Sequence, residues 1–396
     1  MTSFRVAGSS IEGDVEDGFG PVADVFVANF RDRRDLGAAC TAFVGGRMVV
    51  DLWGGVADRR TGRPWTRDTS AVIFSCTKGI LAICVYVLVQ AGRLDLDAPV
   101  ADYWPEFAQE GKQLVTGRML LAHRAGLVAL DRDLTTDDVL AWEPVIRAIE
   151  AQRPLWTPGT AHAYHALTYG WLVGELIRRV TGRRPGRFFR EEIGGPLGLR
   201  TWIGLPGAEQ ASVAWTEPPL PDADPELVAA YAATASNPMT QRSLTLNGAI
   251  EFPFFGAERV IFNDPAIRAA EIPAANGVST ARSLARLYAG CVSDIGGPRI
   301  LTNASVDDAL VPRSWGPSLY GEPDVGQRWG TGFMLASPPH RPMLGGQSFG
   351  HDGAGGQLAF ADREREVGFA YLTNQMGGLV DLRANELVRV MGECLA

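Results

Sequence analysis

Residues 71–79 read Ala-Val-Ile-Phe-Ser-Cys-Thr-Lys-Gly, and an apolar run continues from them to Val89. Because apolar residues occupy every face of this stretch, the sequence predicts a buried helix. Ser75 and Lys78 lie three residues apart at its start, and side chains with this spacing share one face of a helix. We therefore expect the serine hydroxyl and the lysine amine to meet.

This pair is suited to nucleophilic catalysis. A serine hydroxyl attacks only when a base takes its proton, and a lysine serves as that base once burial lowers its pKa from the usual value of about 10.4. The first N–H groups of the helix also favour negative charge beside Ser75 and offer one donor of an oxyanion hole. The alternative is an ordinary helix cap followed by a solvated lysine. The chain has only two lysines, Lys78 and Lys112, so we favour the catalytic interpretation.

The composition limits the class of protein. The chain has 396 residues, 46% of them hydrophobic and 21% charged, which is typical of a globular protein with one large domain or two intertwined ones. The net charge of −8 argues against nucleic acid or an anionic membrane as a partner. Residues 1–20 have no apolar segment behind a basic start, so we expect no secretory signal and a cytoplasmic location. The five cysteines form no C-x-x-C pair, and we expect no metal and no cofactor.

Strand and helix signals place the two chain ends together. Residues 39–53 and 356–373 each predict a β-hairpin, while residues 20–34 and 378–395 predict helices. The most economical arrangement is one antiparallel sheet assembled from both ends and flanked by the terminal helices, with a helical insertion between them.

These signals predict a division into domains. An α/β sheet domain takes residues 1–75 and 276–396, and a mainly helical domain takes residues 76–275. Within the latter, the Pro-rich region 205–271 is predicted to be a lid or a pocket wall, because loops of that length in a folded domain commonly have such a role. Ser75 would lie at the junction, where clefts form.

A second serine motif competes with the first. Residues 346–350, Gly-Gln-Ser-Phe-Gly, match the G-x-S-x-G elbow of α/β-hydrolases. That elbow needs a strand before the serine and a helix after it, whereas here a glycine-rich turn into a strand follows Ser348. The same glycine-rich stretch, residues 350–356, can instead bring a strand backbone close to a ligand, where an N–H supplies a second oxyanion donor.

Three motifs together carry a resemblance. Ser75-x-x-Lys78, Tyr164-His165-Ala166 and His351-Asp352-Gly353 resemble, in order and spacing, the motifs of the serine β-lactamase and penicillin-binding-protein superfamily. The sequence is most similar to class C β-lactamases and family VIII carboxylesterases. Weaker similar phrases extend over most of the chain, among them residues 92–97, 120–127 and 156–159.

The resemblance implies an α/β fold of the β-lactamase type and a serine acyl-enzyme mechanism. Ser75 would attack the carbonyl, while Lys78 and Tyr164 share the proton transfer, with the Lys78 cation explaining how Tyr164 could act as a base. The remaining site residues implied are Ser75 and Ala354 for the oxyanion hole, and His351, Gly353, His165 and Ala166 for substrate binding.

Two departures from the superfamily pattern favour an ester substrate. His351 replaces the lysine that usually opens the third motif, and Ala166 replaces the asparagine that usually ends the second. Both changes remove groups that recognise a charged amide substrate. The leading hypothesis is a carboxylesterase acting on a small-molecule ester of small or medium acyl group. A β-lactamase, a D-amino-acid peptidase and an acyltransferase remain alternatives, as does a catalytically silent binding protein of the same fold.

The two serines can be separated by mutation. Ser75→Ala should abolish turnover, because it removes the nucleophile and several kcal/mol of transition-state stabilisation, whereas Ser348→Ala should keep most of it. Steady-state kinetics of both folded variants check this prediction. The opposite pattern would assign the nucleophile to Ser348.

Overall fold

The computed structural model describes residues 2–6, 9–220, 226, 229, 232–233, 236–252, 258–320, 326–378 and 381–396. The strands are β1 (Thr2–Val6), β2 (Ser9–Val15), β3 (Gly37–Val44), β4 (Arg47–Asp58), β5 (Arg63–Pro64), β6 (Ala71–Val72), β7 (Thr201–Trp202), β8 (Val278–Ser279), β9 (Ser314–Trp315), β10 (Arg328–Trp329), β11 (Met334–Leu335), β12 (Ser348–Gly353), β13 (Gln357–Asp362) and β14 (Val367–Thr373). The α-helices are α1 (Gly20–Asp32), α2 (Cys76–Gln90), α3 (Gly117–Leu121), α4 (Thr136–Ala141), α5 (Glu143–Ala151), α6 (Thr168–Thr181), α7 (Pro185–Phe189), α8 (Pro238–Thr245), α9 (Pro265–Ala269), α10 (Ala281–Val292), α11 (Asn303–Ala309) and α12 (Arg383–Cys394).

The main sheet is antiparallel and is built from both ends of the chain. Its strand order is β1-β2-β4-β3-β14-β13-β12-β11-β10-β9, with β5 added beside β4. The two predicted hairpins, β3-β4 and β13-β14, meet where β14 pairs with β3. The predicted fold class, an antiparallel sheet flanked by helices, is therefore confirmed. Strands β1 and β2 were not predicted, because the polar N-terminal sequence lacks the apolar alternation typical of a strand.

The centre of the sheet is covered on both faces. Helices α1 and α12 pack on one face against large side chains such as Phe360, Phe369 and Tyr371. Helix α10 packs on the other face, where the alternate residues of the same strands are small, including Ala359 and Ala370. Successive side chains of a strand point to opposite faces, so this alternation lets α10 lie unusually close to the sheet.

Helix α2 lies against β12 and β13, beside α10, in the interior of the protein. Most of its residues are fully buried, as its uniformly apolar sequence predicts. It packs against β12 on one side and against α6 and α7 on the other. A small sheet with the order β6-β8-β7, which was not predicted, joins the chain just before α2 to the start of α10. No helix in the described part of the chain is long and apolar enough to cross a bilayer. The proposed domain boundaries remain a prediction.

Close packing of α10 on the sheet gives a stability prediction. A Cβ atom at Gly368 would overlap the backbone of Ala289 and the carbonyl of Ala285, so Gly368→Ala must push the helix away from the strand. We expect it to lower the free energy of unfolding by about 1–3 kcal/mol, as overpacking typically does.

Gly207→Ala is the matched control. No atom of the described residues lies within 4 Å of a Cβ built at Gly207, and the effect of this substitution on the free energy of unfolding should stay within about 0.5 kcal/mol. Denaturant titration of both variants measures the difference. Equal stability would show that α10 can shift from the sheet without cost.

Candidate active site

The start of α2 is fixed by two neighbouring segments. The N–H of Ile73 donates to the carbonyl of Gly277 at 2.8 Å, which ties this stretch to the segment before α10. On the other side the end of β12 approaches so closely that a Cβ at Gly353 would overlap the Ile73 carbonyl. A glycine is therefore required at this position in the third motif. The contacts hold Ser75, the cap residue of α2, against the edge of the main sheet.

Two side chains converge on the Ser75 hydroxyl. Lys78 Nζ lies 3.0 Å from Ser75 Oγ, and the Tyr164 hydroxyl lies 2.9 Å from the same oxygen. Lys78 reaches Ser75 from one turn along α2, whereas Tyr164 reaches it from the loop before α6. The structure thus brings together the three residues that the sequence predicted to act on the proton of the serine.

Lys78 is completely buried, and this changes its acidity. Burial lowers its pKa to about 7, although the nearby Asp352 carboxylate acts in the opposite direction. Lys78 Nζ also donates to the Ala274 carbonyl at 3.0 Å. A neutral amine that donates to Ala274 keeps its lone pair available for the Ser75 proton.

Tyr164 is partly buried, with the opposite consequence for its acidity. Burial raises the pKa of the phenol well above 10, and the hydrogen bond with Ser75 offsets only part of this rise. The Trp329 ring stacks on the Tyr164 ring at 5.2 Å between centroids, which keeps water from the phenol face. The idea that the Lys78 cation lowers the Tyr164 pKa enough for a phenolate is therefore wrong, because desolvation outweighs it. The phenol therefore keeps its proton at neutral pH.

The Ser75 hydroxyl faces a cleft of about 330 Å³. One wall is apolar and includes Phe74, Ala166, Leu167, Leu244, Phe252 and Ala275. The other wall is polar and includes Gln327, His340, Arg341 and Asp352, with the turn of residues 353–356 between the two. Two residues of the apolar wall, Leu244 and Phe252, come from the region 205–271, parts of which lie outside the described residues.

Two backbone N–H groups beside Ser75 can receive an oxyanion. Neither the N–H of Ser75 nor that of Ala354 donates a hydrogen bond to another described residue. Ala354 lies in the turn between β12 and β13 and lines the cleft together with Gly353. These are the two N–H groups that the resemblance implies as oxyanion donors, and that role remains a prediction.

The two histidines predicted to bind substrate do not line this cleft. The His165 ring is buried, with one nitrogen 2.8 Å from the Ala163 carbonyl and the other accepting from the Leu127 N–H. His351 is buried in β12, where Nδ1 lies 2.6 Å from the Asp352 carbonyl. Burial lowers the pKa of both rings to about 4, so both are neutral at pH 7. Of the four residues predicted to bind substrate, Ala166 and Gly353 line the cleft.

The competing serine, Ser348, forms a hydrogen bond outside the cleft. Ser348 is buried in β12, and its hydroxyl donates to the Asp362 carboxylate at 2.6 Å. No helix follows it, since β12 turns directly into β13. This is the context expected for a structural serine.

Some features of the site could not be found from the sequence. The Ala274 carbonyl accepts from Lys78, but no sequence pattern distinguishes one backbone carbonyl from another. Trp329 and Arg341 reach the cleft through β10 and the segment before β12, far in sequence from Ser75. The second lysine, Lys112, is buried as well, but it donates to the carbonyls of Glu150 and Gln152 on the helical side.

Comparison with known proteins agrees with this geometry. The profile of the Beta-lactamase family matches residues 25–390. The esterase/beta-lactamase LipL of Mycobacterium tuberculosis is 34% identical over 389 residues, covering 93% of this chain and 84% of that protein.

Solved structures agree over nearly the whole chain. A family VIII carboxylesterase has a TM-score of 0.84 at 34% identity, covering 97% of this chain and 99% of its own. A penicillin-binding protein homologue from Caulobacter crescentus has a TM-score of 0.82 at 36% identity with the same coverage. The resemblance drawn from the three motifs is confirmed, and the chain belongs to the β-lactamase family.

Proposed function

We propose that this protein is a serine hydrolase that cleaves carboxylic esters of small to medium acyl groups through a covalent acyl-enzyme. The observation that carries the proposal is the Ser75 hydroxyl held between a buried amine of pKa about 7 and a protonated phenol. The similarity to an esterase/beta-lactamase and to a family VIII carboxylesterase supports an ester substrate.

Acylation begins with proton transfer to Lys78. Neutral Lys78 takes the Ser75 proton while Oγ forms a bond to the ester carbonyl carbon, and the carbonyl electron pair moves onto oxygen. The N–H groups of Ser75 and Ala354 hold the resulting oxyanion. The proton passes directly from Ser75 to the Lys78 amine, because the two groups are already in contact. It therefore does not have to enter the solvent.

Collapse of this intermediate releases the alcohol. The bond between the carbonyl carbon and the alkoxy oxygen breaks, and the Tyr164 hydroxyl gives its proton to the leaving oxygen. The Lys78 ammonium restores that proton to Tyr164, so both residues regain their starting states. The high pKa of Tyr164 suits this task, since a neutral phenol can donate whereas a phenolate cannot.

Deacylation repeats the sequence with water in place of the alcohol. Lys78 accepts a proton from a water molecule while the oxygen of that water attacks the acyl carbon. The Ser75 oxygen then leaves and takes the proton back from the Lys78 ammonium. The same two N–H groups hold the second oxyanion. The products are a carboxylic acid and the free enzyme.

The cleft favours a neutral ester over a charged amide. His351 is neutral and does not line the cleft, so it offers no cation to a substrate carboxylate, and Arg341 in the lining is paired with Asp352 at 3.2 Å. Ala166 offers no hydrogen bond to an amide side chain. The volume of about 330 Å³ and the apolar wall suit a small or medium acyl group.

A pair of chromogenic substrates tests the reaction class. We expect the protein to hydrolyse a short-chain p-nitrophenyl ester and to turn over a chromogenic cephalosporin with a much lower kcat/KM. Comparable kcat/KM for the cephalosporin would favour a β-lactamase. Folded protein with no ester turnover would exclude the proposal.

The pH profile tests the role of Lys78. Because only the neutral amine accepts the Ser75 proton, kcat/KM for a neutral ester should rise with pH through an apparent pKa near 7 and then level off. Below that value the rate should fall about tenfold per pH unit. A kcat/KM that stays constant from about pH 5 to about pH 9 would contradict the assignment of Lys78 as the base.

Lys112 provides a matched control for the lysine. Lys78→Met should lower kcat by about 10³-fold or more, because no other base contacts Ser75 among the described residues. Lys112→Met removes an equally buried ammonium and should reduce stability while keeping kcat. Equal activity losses in the two variants would indicate that burial of lysine matters only for folding.

A further inference from the structure

A buried cluster of charged side chains lies directly behind the turn that carries the Ala354 N–H. Its centre is Arg383, the first residue of α12, which is 3% exposed. Arg383 Nη1 donates to Asp35 at 2.6 Å, and its Nε and Nη2 contact the Asp381 carboxylate. The hydroxyls of Tyr371 and Thr373 also donate to Asp35. Two carboxylates therefore surround one guanidinium, so the cluster adds no net positive charge to the site.

One nitrogen of the guanidinium, Nη2, also donates to backbone carbonyls next to the active site. Arg383 Nη2 donates to the Gly355 carbonyl at 3.0 Å and to the Gln375 carbonyl at 2.9 Å. The N–H of Gly377 donates to the same Gly355 carbonyl at 3.0 Å. The turn after β12 is thereby fastened to the segment after β14.

The turn needs these hydrogen bonds, because its glycines do not by themselves fix the backbone conformation. Gly355 and Gly356 have φ angles of +88° and +111°, where side chains are disfavoured and glycine is the most mobile residue. A Cβ at Gly356 would overlap Asp381 and contact Arg383, so the glycines are needed for the cluster to approach. The glycines that allow this close approach do not make the turn rigid. The hydrogen bonds from Arg383 and Gly377 hold it in place instead.

We infer that Arg383 is a positioning residue for the oxyanion hole, holding the turn of residues 354–356 so that the Ala354 N–H faces the oxygen of the tetrahedral intermediate. This inference rests on the proposed function. An oxyanion donor acts only when it lies within hydrogen-bonding distance of the developing charge, so a displacement of about 1 Å can cost about 10²-fold in rate. Arg383 reaches the reaction only through the backbone that it holds.

Arg383→Lys tests the inference. A lysine keeps the charge for Asp35, but as a compact point charge it cannot also bridge the two carbonyls that the planar guanidinium spans. We expect kcat for the ester to fall about 10- to 100-fold with KM within about twofold, because both acylation and deacylation pass through an oxyanion. The inhibition constant of a trifluoromethyl ketone, which adds to Ser75 and places its oxygen in the same hole, should rise by a similar factor.

Arg282→Lys is the matched control. Arg282 on α10 pairs with the buried Asp51 of β4 through two nitrogens, at 2.8 Å and 3.2 Å, away from the cleft. It should lower the melting temperature but leave kcat and the ketone inhibition constant unchanged. If Arg383→Lys loses stability in the same way and keeps both kinetic values, Arg383 is structural only and the inference is overturned.

A second variant decides the matter if Arg383→Lys does not fold. Asp35→Asn changes a residue that does not line the cleft, keeps the shape of the side chain and leaves Arg383 paired with Asp381, but it weakens the hold on Nη1. A severalfold loss of kcat and of ketone affinity supports the inference, and unchanged values overturn it. Wild-type protein that hydrolyses no ester would instead contradict the proposed function, which separates the two failures.

Discussion

The active site depends on the burial of one amine, that of Lys78, away from water. Lys78 lies one turn into a helix that is apolar on every side, and the cost of desolvating its ammonium brings the pKa to about 7. The same amine on an exposed helix would stay protonated and could not take a proton from serine. Burial of α2 between β12, α6 and α7 therefore contributes to chemistry as well as to stability. Burial alone does not place a lysine beside a nucleophile, since the buried Lys112 donates to the backbone carbonyls of Glu150 and Gln152.

Desolvation acts on the neighbours of Lys78 in different ways. It raises the pKa of Tyr164 and lowers the pKa of His351, so each group prefers its neutral form at pH 7. The centre of the site is therefore a set of neutral polar groups in a dry environment, with the Arg341–Asp352 ion pair in the polar wall. In such an environment a developing oxyanion meets few competing charges, and backbone N–H donors stabilise it strongly.

Close backbone contact is what assembles these groups. Gly353 lets the end of β12 approach the carbonyl of Ile73. Small residues on β13 and β14 let α10 approach the sheet. Glycines and alanines provide proximity but little rigidity, so rigidity has to come from hydrogen bonds between distant segments. The cluster around Arg383 joins residues near positions 35, 355, 373 and 381 in this way.

The sequence by itself determined the local features of this protein. The spacing of Ser75 and Lys78 on a helix, the two terminal hairpins and the mismatch of Ser348 with a nucleophile elbow follow from periodicity and turn chemistry, which act over a few residues. Resemblance to the superfamily motifs added Tyr164 and Ala354. Only the tertiary structure decided that Ala274 orients the amine, that Trp329 covers the phenol, and that His165 and His351 turn away from the cleft. These outcomes depend on which distant segments are packed together and on how much water packing removes, and neither quantity is encoded in the spacing of neighbouring residues.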